Sequence, residues 1–146
     1  MIYFDTSALV KRYDPREAGA GRVIAFFATQ PRILTSAFTI NEVISAFRIK
    51  ERGGQFTAAD VSALTTTLDF HTNTDYDLVL PQADTLLMVR RLLLTHKIRH
   101  YDAMHIATAL TIARATSTHP AQIEFWTSDH DQTAAARAEG FTVIAV

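Results

Sequence analysis

Two hydrophobic rhythms alternate along the chain: short apolar runs of strand type, and longer stretches with apolar positions three and four residues apart. Ile2-Tyr3-Phe4 is a run of strand formers that stops at Asp5; Thr6 and Ser7 can cap a helix whose first apolar residues are Ala8, Leu9 and Val10. Asp14-Pro15-Arg16-Glu17 combines a cap residue, proline at the first helical position and acid in the first turn. It predicts a helix to about Gln30, closed by Pro31. Arg32-Ile33-Leu34-Thr35 predicts a short strand, which Ser36 and Thr39 hand on to another helix. There Ile40, Val43, Ile44 and Phe47 form a buried stripe and Gly53-Gly54 ends it.

Thr57-Ala58-Ala59-Asp60 has the form of a capping box with Asp in place of Glu, and Val61, Leu64 and Leu68 continue as a helical stripe. Asp75 to Leu80 predicts a brief edge strand ended by Pro81. The helix expected from Gln82 to about His96 is apolar around most of its girth, as in a core helix or a subunit interface. Arg99-His100-Tyr101-Asp102 opens the next helix, whose packed side carries Ala103, Ile106, Ala107 and Leu110. After a polar loop, Ile123 to Thr127 reads as a strand ending at Ser128-Asp129. A helix from Gln132 to Glu139 stops at Gly140, and Phe141 to Val146 forms the last strand. This alternation predicts an α/β fold with a largely parallel sheet covered by helices on both faces. No repeat, low-complexity segment or linker interrupts it, so 146 residues are expected to form one domain over 1–146.

Composition narrows the chemistry. With 15 acidic and 14 basic residues the net charge is -1, so bulk positive charge is not the route to a nucleic-acid partner, although a local basic patch remains open. The chain has no cysteine, which excludes disulfides and thiolate zinc sites and leaves oxygen and imidazole as metal ligands; hard cations such as Mg²⁺ or Mn²⁺ suit that supply. The most hydrophobic stretch, Leu86 to Leu94, is too short to span a bilayer and contains Arg90 and Arg91. No basic leader precedes an apolar segment, so a cytoplasmic, membrane-free protein is expected.

Asp5 and Asp129 end strands at one edge of the predicted sheet, while Glu42 and Asp102 begin helices that leave from that edge, where open α/β sheets bind their ligands. Each acid also has a plainer reading as a helix cap or a partner of the helix dipole. Four clustered carboxylates would either raise their pKa values or recruit divalent cations. At cytosolic Mg²⁺ the second outcome is expected. One or two such ions can generate hydroxide, align it with a phosphodiester and stabilise the developing charge.

Four blocks carry a resemblance to a known family: Phe4-Asp5-Thr6-Ser7-Ala8-Leu9-Val10-Lys11, Asn41-Glu42-Val43, Tyr101-Asp102-Ala103-Met104-His105-Ile106-Ala107-Thr108-Ala109, and Thr127-Ser128-Asp129 with Ala135-Ala136 and Gly140-Phe141. In order, spacing and total length the chain resembles the PIN-domain family, and within it the ribonuclease toxins of VapBC toxin-antitoxin modules. The resemblance implies a three-layer α/β/α fold with strand order 3-2-1-4-5. It implies Asp5, Glu42, Asp102 and Asp129 as catalytic, metal-holding acids for Mg²⁺ or Mn²⁺, RNA as substrate, a VapB-type antitoxin as partner and a homodimer as the unit. Thr6, Ser7 and Ser128 are then candidates to orient carboxylates or water through their hydroxyls, and Asp131 is a candidate supporting acid behind Asp129.

Other residues have competing readings. His105, one turn after Asp102, reads as a packed or hydrogen-bonded side chain rather than a metal ligand, as does His100; His130 reads as exposed. Lys11, Arg12, Arg48, Lys50, Arg52, Lys97 and Arg99 are either phosphate contacts or solvated surface. Tyr13, Phe38 and Phe47 are candidates to flank a groove, with Phe47 better suited to the core. A haloacid-dehalogenase-type phosphatase needs a second Asp two residues after the first, and position 7 is Ser. A receiver domain needs a mid-chain phosphoacceptor Asp that is missing. A non-catalytic PIN-like module that binds RNA or a protein remains the alternative, disfavoured by the intact acid set.

Overall fold

A computed structural model describes the whole chain, Met1–Val146. Its sheet has five parallel strands, β1 (Ile2–Phe4), β2 (Ile33–Ser36), β3 (Tyr76–Val79), β4 (Glu124–Thr127) and β5 (Thr142–Ala145), in the order β3-β2-β1-β4-β5. Seven helices accompany it: α1 (Thr6–Val10), α2 (Ala20–Phe27), α3 (Thr39–Arg52), α4 (Ala58–Thr74), α5 (Ala83–Thr95), α6 (His100–Ala115) and α7 (His130–Ala138). The strand order and the helical cover on both faces are those expected.

The strands are apolar on both sides because the central ones have no solvent face. In β1, Tyr3 enters one core and Phe4 the other, as the two-residue period of a strand requires. On the Tyr3 side lie Leu92 of α5, Ile106 of α6 and Ala136 of α7; on the Phe4 side lie Leu9, Val23, Phe47 and Leu68 of α1 to α4. The register Tyr3↔Phe125 and Phe4↔Trp126 stacks one aromatic pair on each face, with ring centroids 5.2 and 4.8 Å apart. These two pairs fix β1 against β4, and with them the two strand ends that carry Asp5 and Asp129.

Three local expectations are corrected. The N-cap of α1 is Asp5, which accepts from Ala8 N at 2.7 Å, while Thr6 and Ser7 are already helical. The second helix begins at Ala20 rather than at Pro15. Asp14 is buried and engaged by the Arg16 and Lys50 side chains; its Oδ1 accepts from Arg16 N at 3.2 Å, but it caps only a turn, because Gly19 at φ 82° breaks the chain direction before the helix. A Cβ on Gly19 would lie 2.6 Å from the backbone carbon of Val146, so the turn also brings two backbones together. Tyr13 does not flank a groove: it is buried, hydrogen-bonded to Tyr76 at 2.7 Å and set edge-on to Phe47, which is core as expected.

Helix α5 buries Thr85, Met88, Val89 and Leu92 and leaves Leu86, Leu87 and Leu94 in solvent; it packs chiefly on α6, which covers one side of its apolar girth. No helix is long and apolar enough to cross a membrane.

The Asp14 network has a pH signature. Hydrogen bonding from Arg16, helped by Lys50, holds the Asp14 carboxyl well below the usual carboxylate range against the opposing effect of burial. A lowered folded pKa means the unfolded chain takes up the proton first. The contribution is therefore present above about pH 4 and is lost as pH falls toward the folded value. Asp14→Asn is expected to lower stability at pH 7 by about 1–3 kcal/mol, since Arg16 and Lys50 each lose an ionised partner, and to shrink the difference from the parent at pH 3. Urea unfolding at both pH values measures it; equal losses at the two would contradict the assignment.

Candidate active site

The carboxyl ends of β1 and β4 lie side by side at the sheet edge where α3 and α6 begin, and all four expected acids line one cavity of about 440 Å³. They come from four separate segments. Asp5 and Asp129 are the N-caps of α1 and α7, Asp102 lies in the first turn of α6, and Glu42 lies in the first turn of α3. The capping readings are thus correct, and they coexist with placement at the cavity.

Asp5 is the most tightly held. Besides Ala8 N it accepts from Ser7 Oγ at 2.9 and 2.8 Å and from Thr127 Oγ1 at 2.7 Å, with almost no exposure. Burial pushes its carboxyl above the ordinary value, and His105 and these hydrogen bonds oppose the rise. Glu42 behaves in the opposite way: burial is again the largest effect, but the hydrogen bond and charge interaction with His105 and the hydrogen bond from Thr6 together outweigh it and hold the carboxyl below its ordinary value. Thr6 Oγ1 donates to Glu42 Oε2 at 2.5 Å, and His105 Nε2 lies 3.1 Å from the same oxygen.

Arg99 spans the other two acids. Its Nε lies 3.0 Å from Asp102 Oδ2 and its Nη2 2.8 Å from Asp129 Oδ2, while Asp129 Oδ1 accepts from Gln132 N at 2.9 Å. The Arg99 side chain is 77% exposed, so solvent screens both pairs and each is weak.

Among the supporting hydroxyls, Thr6 and Ser7 orient Glu42 and Asp5 as described. Ser7 Oγ also accepts from the Ser128 backbone N–H at 2.8 Å, tying the two strand ends together; the exposed Ser128 side chain lines the cavity. Asp131 stands outside that cavity. It is exposed beside His130 and faces a neighbouring recess that also includes Lys97 and Asp129.

Two supporting residues were not foreseen. Thr127 holds Asp5 and accepts from Asp129 N at 3.0 Å; Gln132 Oε1 is 3.1 Å from the same hydroxyl and Gln132 Nε2 reaches Asp102 O at 3.3 Å. The available signal was a polar residue at the buried end of an apolar strand, directly before Ser128-Asp129. Of the cations, Lys11 is buried with its ammonium on Ala18 O, Arg12 stacks 3.9 Å over Phe27, and Lys50 pairs with Asp14 and Glu17 at the cavity rim; none of these is solvated surface.

Oxygen donors of this kind suit Mg²⁺ or Mn²⁺. As they stand, however, no three Asp, Glu or His side chains are grouped so as to hold a metal ion. The donor chemistry fits while the arrangement is open, with a guanidinium between Asp102 and Asp129. Arg99→Gln is expected to tighten Mn²⁺ binding by roughly 3- to 10-fold, the equivalent of about one weak ion pair per carboxylate. Calorimetric titration of Mn²⁺ into parent and variant reads this; weaker binding by the variant would mean that Arg99 organises the acids rather than occupying them.

A doubly covered parallel sheet in the order 3-2-1-4-5, with acids converging at the carboxyl edge of its central strands, defines a three-layer α/β/α protein with an acid-lined cavity at that edge. A family model described as PIN domain matches residues 2–138, and the chain belongs to that family. Solved structures agree on the fold. The sarcin-ricin loop cleaving toxin VapC20 of Mycobacterium tuberculosis is 19% identical with a TM-score of 0.67 over 100% of this chain and 98% of that one. FitAcB of Neisseria gonorrhoeae is 16% identical with a TM-score of 0.68, covering 99% and 96%. VapBC2 of Rickettsia felis, bound to a DNA fragment from its promoter, is 12% identical with a TM-score of 0.63, covering 100% and 99%. No curated protein sequence matches the chain significantly.

Proposed function

We propose that this chain is a metal-dependent endoribonuclease, the toxin of a type II toxin-antitoxin module, and that Asp5, Glu42, Asp102 and Asp129 hold Mg²⁺ or Mn²⁺ to hydrolyse RNA phosphodiester bonds. The observation that carries this is the convergence of four carboxylates from four chain segments on one open cavity. Membership of the PIN family and the toxin descriptions of similar folds support it. When bound, the ion supplies Lewis-acid stabilisation of phosphate charge and a lowered water pKa.

The chain's own residues do the rest. Ser7 and Thr127 fix Asp5, and Thr6 fixes Glu42. Arg99, once displaced from Asp102 and Asp129, is long enough to meet a substrate phosphate in bidentate fashion. Tyr101 and Phe38, both exposed beside Glu42, offer faces on which unpaired bases can stack, which favours single-stranded or looped RNA. Incubation with single-stranded RNA, with Mn²⁺ and then with chelator, tests the reading. The Arg99 bridge favours a second reading, a non-catalytic module that binds RNA or a protein. RNA binding without cleavage at saturating Mn²⁺ would establish that second reading.

The same proposal includes cytoplasmic location, a VapB-type antitoxin and a homodimer. An antitoxin arginine or lysine placed among the acids would compete with the ion as Arg99 does. Self-association is expected through the outer face of α5, where Leu86, Leu87 and Leu94 are 55%, 68% and 79% exposed. Light scattering at micromolar concentration should give a dimer, and Leu87→Glu with Leu94→Glu should give a monomer of unchanged fold. A monomeric parent removes the dimer from the proposal.

A further inference from the structure

We infer that His105 is a positioning residue for Glu42, held in a single tautomer by the buried hydroxyl of Tyr3, so that a phenol on the central strand aims one carboxylate of the acid cavity. This rests on the reading of Glu42 as a metal-holding acid. The chain of contacts crosses four elements: Tyr3 of β1, His105 of α6, and Glu42 of α3 with Thr6 of α1. Tyr3 OH lies 3.0 Å from His105 Nδ1, and His105 Nε2 lies 3.1 Å from both Glu42 Oε2 and Thr6 Oγ1. Tyr3 is fully buried and His105 is 4% exposed, so neither can turn to water for a partner.

Proton placement follows from these distances. The Tyr3 hydroxyl meets His105 Nδ1 at 3.0 Å, with Thr108 and the Ser36 backbone also beside it; with the phenol donating to the ring, Nδ1 accepts. The ring proton then resides on Nε2, where it points at Glu42 Oε2. Thr6 donates to that oxygen as well, at 2.5 Å. The opposite tautomer would turn the phenol proton away from the ring toward Thr108 and set a ring lone pair against a carboxylate oxygen, a buried penalty. Both hydrogen bonds to Glu42 therefore fall on Oε2, and Oε1 is left without a protein partner at the cavity wall. Such outer contacts hold a carboxylate ready for an ion in the way a histidine ligand is held by its own partner. The aim is set from behind the sheet edge, by a residue that touches no candidate ligand.

The test combines Mn²⁺ calorimetry with long-range ¹H–¹⁵N NMR of the histidine rings, on the full chain. In the parent, His105 should carry its proton on Nε2. Tyr3→Phe preserves the ring stack on Phe125 and removes only the hydroxyl. It should shift His105 toward the Nδ1-protonated form and weaken Mn²⁺ binding by roughly 3- to 10-fold. His105→Leu should weaken it by roughly 10- to 100-fold, the range for losing an outer partner of a metal ligand, and His105→Gln, whose amide can still donate toward Glu42, should recover most of that loss. If Tyr3→Phe leaves both the tautomer and the affinity unchanged, the inference is overturned even where His105→Leu fails to fold. Glu42→Gln separates the layers. Should it bind Mn²⁺ as tightly as the parent, the metal role of Glu42 fails and the inference with it. Should it lose affinity while Tyr3→Phe and His105→Leu do not, positioning alone is wrong.

Discussion

Asp5→Asn should reduce Mn²⁺-dependent RNA cleavage by on the order of 10²- to 10³-fold, the scale on which one preorganised charge-stabilising group acts, while leaving the metal-free protein folded. Asparagine keeps an oxygen for Ala8 N and so preserves the α1 cap. Its amide nitrogen would face Thr127 Oγ1, whose proton can turn to Gln132 Oε1, 3.1 Å away. Burial already disfavours the charged form of Asp5, so neutralising it removes a penalty together with the lost charge-assisted bonds. Metal-free stability should change by no more than about 1 kcal/mol. Added Mn²⁺ should raise the parent's melting temperature more than the variant's, because only the folded state assembles the site. By contrast Asp5→Ala deletes the cap and should cost about 1–2 kcal/mol without metal. Cleavage by Asp5→Asn at a tenth of the parental rate or better would remove Asp5 from the chemistry; a drop in metal-free stability as large as that of Asp5→Ala would make it chiefly a structural cap.

Phe4→Ala should destabilise the protein by about 3–5 kcal/mol, the range for emptying a wholly buried aromatic site. Phe4 has no exposure and stacks on Trp126, with Phe26 and Phe27 also within 5.4 Å of its ring centre. Those partners belong to β4 and α2, which cannot collapse inward without moving the strand that carries Asp5. Against a total stability of typically 5–15 kcal/mol, that is about a fifth or more of the whole. Urea unfolding should show a lower midpoint with an unchanged slope. A loss under about 1.5 kcal/mol would mean that the α2 side of the sheet repacks freely, and that the acids are held by their hydrogen bonds alone.

The order of strands and helices was legible because the strands are short apolar runs bounded by polar or turn residues and most helices carry apolar positions three and four apart. The strand order was not in that periodicity; it came from the family resemblance. The gathering of Asp5, Glu42, Asp102 and Asp129 at one cavity was legible from position, since strand ends and helix starts share an edge. What could not be read were interactions that depend on register and rotamer. Asp14 looks like the cap of a full helix, yet it caps only a turn and shares its carboxylate with Lys50, 36 residues on. Arg99 looks like surface until its fork reaches Asp129, 30 residues away. Thr127 and His105 are unremarkable in their own segments, and matter because β1 delivers Asp5 and Tyr3 to them across the sheet.

The placement of β1 at the centre of the sheet has a consequence for the order in which the chain is made. This strand is made before the other four of the sheet, yet one of its two neighbours, β4, follows only after β2 and β3. Thr127 follows Asp5 by 122 residues, which at translation rates of 5–20 residues per second is roughly 6 to 24 s. Throughout that interval Phe4 lacks Trp126, Tyr3 lacks Phe125, and Asp5 lacks the hydroxyl that holds it. A nascent chain ending before Glu124 carries Asp5, Glu42 and Asp102 but no second strand end to close the cavity. The cavity that gathers the four acids is therefore incomplete until Asp129 has been made.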